Sequence, residues 1–462
     1  MLTRRSLLTA ATLAPVGAFA QSRLAPPPAT PAPLDDSVAP GVTRSTLISW
    51  GGRVEPDSLS FAPANISVQA ARGQFGWDGI LAGLQTQPDG EDGVKRAILT
   101  VAHPAPVARM LPSGDPALLA ALQGASVLNL EEHGGAYLVT DGGYQTRRIA
   151  ADTLCRVSGT EPGDAGDAAR GPLDPQAGAA TPWGTVLLSE GQGGLRVVEI
   201  DPRDPQAIPV KRASLGRFAR TALLATQSAD GRAVVFMSEA QGGRLFRFVS
   251  QAALSPDQPD ALDAGRLSVA VLQGGVLRFV AVADQRSREG TPLDAPSGLA
   301  LSAGTVLLAC RGGVGFVAGS ALAQGNPAGR ILALRPEGGD ITTERFAVEL
   351  ALSGGDTDMG GPIISNPDCL AAGPDGAVWI GGLDGQITLA EADFTRLRTL
   401  YRAPLGAAIG GITLLPGGRQ GFAAIRHPGA TPQASWANPA TRWPSFAAGM
   451  PPRTTVIGLR IG

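Results

Sequence analysis

Lysine is almost missing from this chain: Lys95 and Lys211 are the only two in 462 residues, and arginine carries nearly all the positive charge. The arginines are scattered rather than gathered into a stripe, which excludes nucleic acid as a partner. Aromatic residues make up 5% of the chain, too few for a base-stacking surface. Cysteine is scarce as well. Cys155, Cys310 and Cys369 form no Cys-x-x-Cys pair, and the odd count of three leaves at least one thiol unpaired. Small buried side chains are the favoured reading of all three, ahead of a disulfide or metal role. No phosphate-binding loop, His-Glu-x-x-His or Gly-x-Ser-x-Gly signature occurs. His103 and His133 have no acidic or nucleophilic neighbours at motif spacing, so no role is assigned to either. Beyond the N-terminus no apolar run approaches the length of a membrane span.

What is abundant is turn chemistry, with 62 glycines and 38 prolines beside a 44% hydrophobic fraction. That composition fits an all-β protein dense in turns. Residues 181–190 (TPWGTVLLSE) are the most informative stretch: a rigid turn feeds a short apolar strand that ends on an acid. The shape returns at 234–239 (VVFMSE), 306–311 (VLLACR), 377–382 (AVWIGG) and 421–427 (GFAAIRH). Four of the five are soon followed by a second strand, at LRVVEI, RLFRFV, RILAL and QITLA. Recurring strands with almost no helix between them predict a β-propeller with a few short helices and long loops, its polar strand ends converging on one central opening. The C-terminal TTVIGLRIG is expected to complete a blade begun elsewhere in the chain. Residues 115–124 carry the one convincing helix, with an Asp115 N-cap, Pro116 in the first turn and Gly124 as a stop. Residues 159–180 and 430–452 read as long loops.

The first residues read as an address. Arg4-Arg5 within TRRSLL, the apolar run 7–16 and the small-residue site Ala18-Phe19-Ala20 form a twin-arginine signal, with an ordinary secretory signal as the alternative. The expected organisation is a signal over 1–20, a Pro/Ala-rich linker over 21–43 and a single propeller over 44–462, with regular structure beginning near Thr46–Trp50. The expected location is periplasmic or extracellular, and the expected state is a monomer.

Fragments along the mature chain resemble the PhoX-type alkaline phosphatases. They are GWDG (76–79), YQTRRI (144–149), TPWGT (181–185), LGRF (215–218), VVFMSE (234–239), LDAGRLSVA (262–270), ISNPD (364–368), PDGAVWI (374–380) and HPG (427–429), in the family's order. The resemblance implies a six-bladed, twin-arginine-exported propeller that holds iron and calcium and hydrolyses phosphate esters. The chain departs from the family pattern at the metals. Gln176 stands in place of an iron-binding cysteine, and Ser189-Glu190-Gly191 replaces Cys-Glu-Glu. Ala219-Arg220 replaces His-Glu, Ala295-Pro296-Ser297 replaces Arg-Pro-Glu, and Ala408 stands at a glutamate.

Calcium takes six to eight oxygens, several of them carboxylate, and iron takes nitrogen, sulfur or carboxylate donors. With those donors gone, the full cluster is expected to be absent and iron is not expected. Glu190, Glu239 and Asp368, joined by Asp78, are candidates for a single calcium. The alternative is that the two glutamates are solvated strand ends and Asp368 caps the Asn366-Pro367 turn. Gln176, Asn366 and His427 are further channel candidates; His427 could act as ligand or general acid, or be held by its own turn. Three functions stay open at this point. One is a phosphomonoesterase of weakened, altered or lost activity. Another is a non-catalytic propeller binding a small ligand or protein, and the last is a lactonase-like hydrolase using one calcium on Glu190, Asn366 and Asp368.

Overall fold

The computed structural model describes residues 33–140, 142–159, 169–255, 260–282, 289–312, 325–356 and 363–462. The twin-arginine segment lies outside these residues. Regular structure begins at Ser37–Val38, earlier than the expected start near Thr46–Trp50.

Alternating side chains decide the architecture. In Arg232–Glu239, Val235 and Met237 pack with Leu187 and Val197 on one side, while Val234 and Phe236 pack with Leu299 and Leu308 on the other. A strand apolar on both faces must lie between two other sheets, which explains its continuous hydrophobic run. The same two-sided burial repeats around the molecule. Six core clusters each lie between a pair of neighbouring sheets, and a seventh gathers Trp50, Trp77, Met110 and Leu118 around two short helices.

The sheets form six blades, and their innermost strands are Ile80–Thr86, Pro175–Ala180, Arg220–Gln227, Pro296–Ser302, Pro367–Ala372 and Ala408–Leu414. Each inner strand touches the inner strands before and after it, and the last touches the first, so the ring is closed. Blades 3 and 4 are also joined at their outer edges, where Val276–Ala281 pairs with Arg345–Ser353. Blade 6 is built from both ends of the chain: Val42–Ser49 pairs with Thr455–Ile461, which pairs with Gln420–Arg426.

The helix read from residues 115–124 is present as Pro116–Ala121, with the Asp115 side chain accepting the Ala117 N–H at 3.0 Å. A second helix, Val68–Gly73, is capped by Ser67. The expected loop over 159–180 needs correction, because Pro175–Ala180 is the inner strand of blade 2. Its sequence PQAGAA carries no β-propensity, but the site demands small residues. A Cβ on Gly178 would fall 2.3 Å from the Ala82 Cβ of blade 1. Gly298 meets Asp368 in the same way, its added Cβ falling 2.9 Å from the Asp368 carbonyl oxygen. Close approach of inner strands around the axis selects glycine and alanine over β-branched residues.

Candidate functional site

Every inner strand contains a bulge, and the bulges point to the site. Pairing with the second strand skips Ala82, Gln176, Thr221, Ser297, Asp368 and the pair Gly410–Gly411 in blades 1 to 6. A bulged residue leaves the ladder and its side chain is re-aimed. Gln176, Thr221, Ser297 and Asp368 all line one axial cavity of about 360 Å³, a volume suited to a small molecule. Three inner strands begin alike. Asp174, Ala295 and Asn366 have φ of 44°, 53° and 47°, each is followed by proline, and the next residue is the bulge. Asp and Asn adopt this left-handed conformation readily, whereas Ala295 does so at a cost. The bulge hydroxyls also stitch the ring. Thr221 Oγ1 donates to the Pro296 carbonyl at 2.6 Å, and Ser297 Oγ donates to the Pro367 carbonyl at 2.8 Å.

Asp78, Asp368, Glu190 and Glu239 are each tied to a basic side chain, whereas Asp174 accepts the Ala105 N–H and the Gln176 amide. Asp78, 2% exposed, receives Arg426 Nε at 3.1 Å on both oxygens and Nη2 at 2.6 Å. Burial alone pushes the Asp78 carboxyl up, but Arg426 and His427 outweigh it and hold it below its ordinary value. Asp368 accepts from Arg311 Nε. Glu190, wholly buried, receives Lys211 Nζ at 2.7 Å and the Leu173 N–H at 3.0 Å. Glu239 pairs with Arg244 at 2.7 Å. Among the described residues, no three His, Cys, Asp or Glu side chains are grouped so as to hold a metal ion.

The candidates from the sequence are therefore divided. Gln176 and Asp368 share the cavity, and the Gln176 amide donates to Asp174 Oδ1 at 2.6 Å. Glu190 and Glu239 stand behind it, at the ends of second strands, facing Lys211 and Arg244. Asn366 holds the chain, donating from Nδ2 to the Arg311 carbonyl at 2.6 Å and the Pro327 carbonyl at 3.1 Å and accepting the Ser365 hydroxyl on Oδ1 at 3.0 Å. His427 sits at φ 34° in its turn, with Nδ1 3.2 Å from the Gly406 carbonyl. Burial holds its imidazole below the usual value against the pull of Asp78.

Sequence reasoning passed over four residues that shape the site. Arg311 and Arg426 line the cavity, and both were visible as the basic ends of VLLACR and AAIRH. Arg220 is fully buried, donating to the carbonyls of Leu195, Leu215, Gly216 and Phe218, with its guanidinium 3.8 Å from the Phe218 ring centroid. Burial pushes it down to about 9 against the pull of Glu190 and Glu239, so it stays charged at neutral pH. His103, also fully buried, bridges the Asp78 carbonyl at 2.6 Å and Ser126 Oγ at 2.7 Å. Burial holds it well below the ordinary histidine value, so it braces Asp78 as a neutral ring.

The model of the alkaline phosphatase PhoX family matches residues 196–295, which contain the three fragments LGRF, VVFMSE and LDAGRLSVA. Over those residues the chain is similar to the PhoX family. Its fold is similar to that of Pseudomonas fluorescens PhoX, solved in complex with vanadate as a transition-state analogue, with TM-score 0.81 and 23% identity over 93% of this chain and 96% of that one. At that identity the likeness shows the fold, a β-propeller. A gluconolactonase from Xanthomonas campestris matches at TM-score 0.34 and 13% identity, covering 83% of this chain and 97% of that one. YCF48 from Cyanidioschyzon merolae matches at TM-score 0.37 and 10% identity, covering 83% and 96%. Neither score carries an argument about this chain. No curated protein matches it. Among the described residues, no helix is long and apolar enough to cross a membrane.

Proposed function

We propose that this chain is an exported PhoX-like propeller of the phosphomonoester hydrolase family in which much of the iron–calcium site has been replaced, leaving phosphatase activity weak, altered or lost. The observation that carries this reading is the pairing of Asp78, Glu190, Glu239 and Asp368 with Arg426, Lys211, Arg244 and Arg311. A carboxylate can ligate a metal only by leaving its partner. Removing one partner of a buried pair costs roughly 3–5 kcal/mol, because a buried charge is left uncompensated. Calcium would have to repay that cost at Glu190 and again at Asp78, with no third anionic donor grouped beside either among the described residues. The single calcium expected on Glu190, Glu239 and Asp368 draws no support from these pairings.

The family and fold support a phosphate ester as the ligand class. The twin-arginine pattern of residues 3–8 supports export in the folded state. The test is metal analysis of the mature protein purified from the periplasm, followed by hydrolysis of p-nitrophenyl phosphate with and without added calcium. Far less than one metal per chain and feeble turnover are expected. Iron and calcium co-purifying stoichiometrically with brisk hydrolysis would refute the reading.

A further inference from the structure

The cavity lining carries more guanidinium than carboxylate: Arg220, Arg311 and Arg426 against Asp174 and Asp368. The carboxylates already have donors. Asp174 Oδ1 accepts the Ala105 N–H at 2.8 Å and the Gln176 amide at 2.6 Å, and Asp368 accepts Arg311 Nε. Arg311 and Arg426 are engaged on one edge only. Arg311 bonds through Nε and is 33% exposed, with no hydrogen bond from its terminal nitrogens among the described residues. Arg426 bonds Asp78 through Nε and Nη2, which leaves Nη1.

The stem of Arg426 reaches the axis over Gly410, where a Cβ would fall 2.5 Å from both its Cγ and its Cδ. The glycine at the blade 6 bulge is thus what admits a guanidinium to the cavity. Arg220 contributes differently. Its N–H groups are spent on carbonyls and on the Met237 sulfur, so it adds positive field without a free donor.

We infer that the axial cavity is a metal-independent site for a small tetrahedral oxyanion, with Arg311 and Arg426 donating to the ligand oxygens and Arg220 supplying background charge. The inference rests on the proposed replacement of the metal cluster and says what takes its place. Charge-assisted N–H···O bonds from arginine are the strong class of hydrogen bond. A guanidinium already fixed by a buried carboxylate, as Arg426 is by Asp78, loses little freedom when the ligand arrives.

The experiment is calorimetric titration of inorganic phosphate into the full mature protein, kept in chelator throughout. Phosphate should bind in chelator, and Arg311→Gln should weaken it about tenfold or more. Arg311→Lys, which keeps the charge but loses the fork, should recover only part of that loss. Arg426→Gln alone strands Asp78 and risks misfolding. The double variant Arg426→Gln/Asp78→Asn leaves a neutral pair, and it should fold, by circular dichroism, and bind about tenfold more weakly or worse. Sulfate run as a competitor distinguishes a general oxyanion site from a phosphate-selective one, and either result upholds the inference. Absence of phosphate binding in chelator, or unchanged affinity in Arg311→Gln, would overturn it. Failure of the underlying reading appears separately, as co-purified iron and calcium with turnover.

Discussion

Removing the positive end of the Glu190–Lys211 pair separates two roles for Glu190, internal counter-ion and metal ligand. Their side chains are 0% and 6% exposed, at 2.7 Å, and Glu190 also accepts N–H groups of Leu173 and Arg196. With so little water nearby, deleting one partner leaves a full charge in a poorly solvated site, costing roughly 3–5 kcal/mol. Lys211→Met keeps the stem volume and removes the charge, so it should destabilise by about that amount. Glu190→Gln should do the same while still accepting from the Leu173 N–H. The double variant removes both charges and should lie within about 1–2 kcal/mol of the parent, since a neutral replacement of a buried pair is often tolerated. Equilibrium urea unfolding of the four proteins closes the cycle. Single variants within about 0.5 kcal/mol of the parent would refute the counter-ion role. So would a Glu190→Gln protein that loses a calcium-dependent stabilisation shown by the parent.

Other consequences follow from the same geometry. Gly178→Val should cost several kcal/mol or prevent ring closure, because the added Cβ falls 2.3 Å from Ala82. Gly114→Ala, with nothing within 4 Å, should be neutral by thermal unfolding. Asp78 has its carboxyl held below the ordinary value, so its stabilisation is complete above the unfolded carboxylate pKa near ~3.9 and is lost as pH falls through the lower folded value. Unfolding measured from about pH 6 to about pH 2 should show an acid loss that Asp78→Asn flattens. Burial pushes the Cys155 thiol up to about 11 and Cys310 up to about 12, and raises Cys369 further. A disulfide-exchange reagent at about pH 8 should therefore leave the native thiols unlabelled and react with all three after denaturation.

The sequence displays the second and third strands of most blades and hides the first. Arg232–Glu239 and Thr305–Cys310 face neighbouring blades on both sides, so their hydrophobicity is continuous and legible. Inner strands such as Pro175–Ala180 are crowded by their neighbours near the axis and must be small, which makes them look like loop. The site was legible to the same degree. Gln176 and Ser297 stood out as departures from the family pattern and Asp368 as an acid kept within ISNPD, and each follows a proline preceded by a left-handed residue. The tripeptides Asp-Pro-Gln, Ala-Pro-Ser and Asn-Pro-Asp thus mark three of the bulges in the amino-acid string itself. The partners of the acids were not readable. Lys211 is 21 residues from Glu190 and meets it only when the strands of blade 2 pair, and Arg426 is 348 residues from Asp78, a distance that closure of the ring makes short.

Closure has its own kinetic consequence. The seam of blade 6 joins Ser49 to Thr455, whose hydroxyls bond across 406 residues. Bringing chain ends so distant together carries an entropic penalty on the order of 5 kcal/mol by the logarithmic loop law. Val42–Ser49 is made early and finds its partner only once nearly all the chain has been synthesised, so its edge waits unpaired while five blades assemble beside it. A circular permutant opened at a surface loop between two other blades would bring that partner close in sequence and move the waiting edge to another blade.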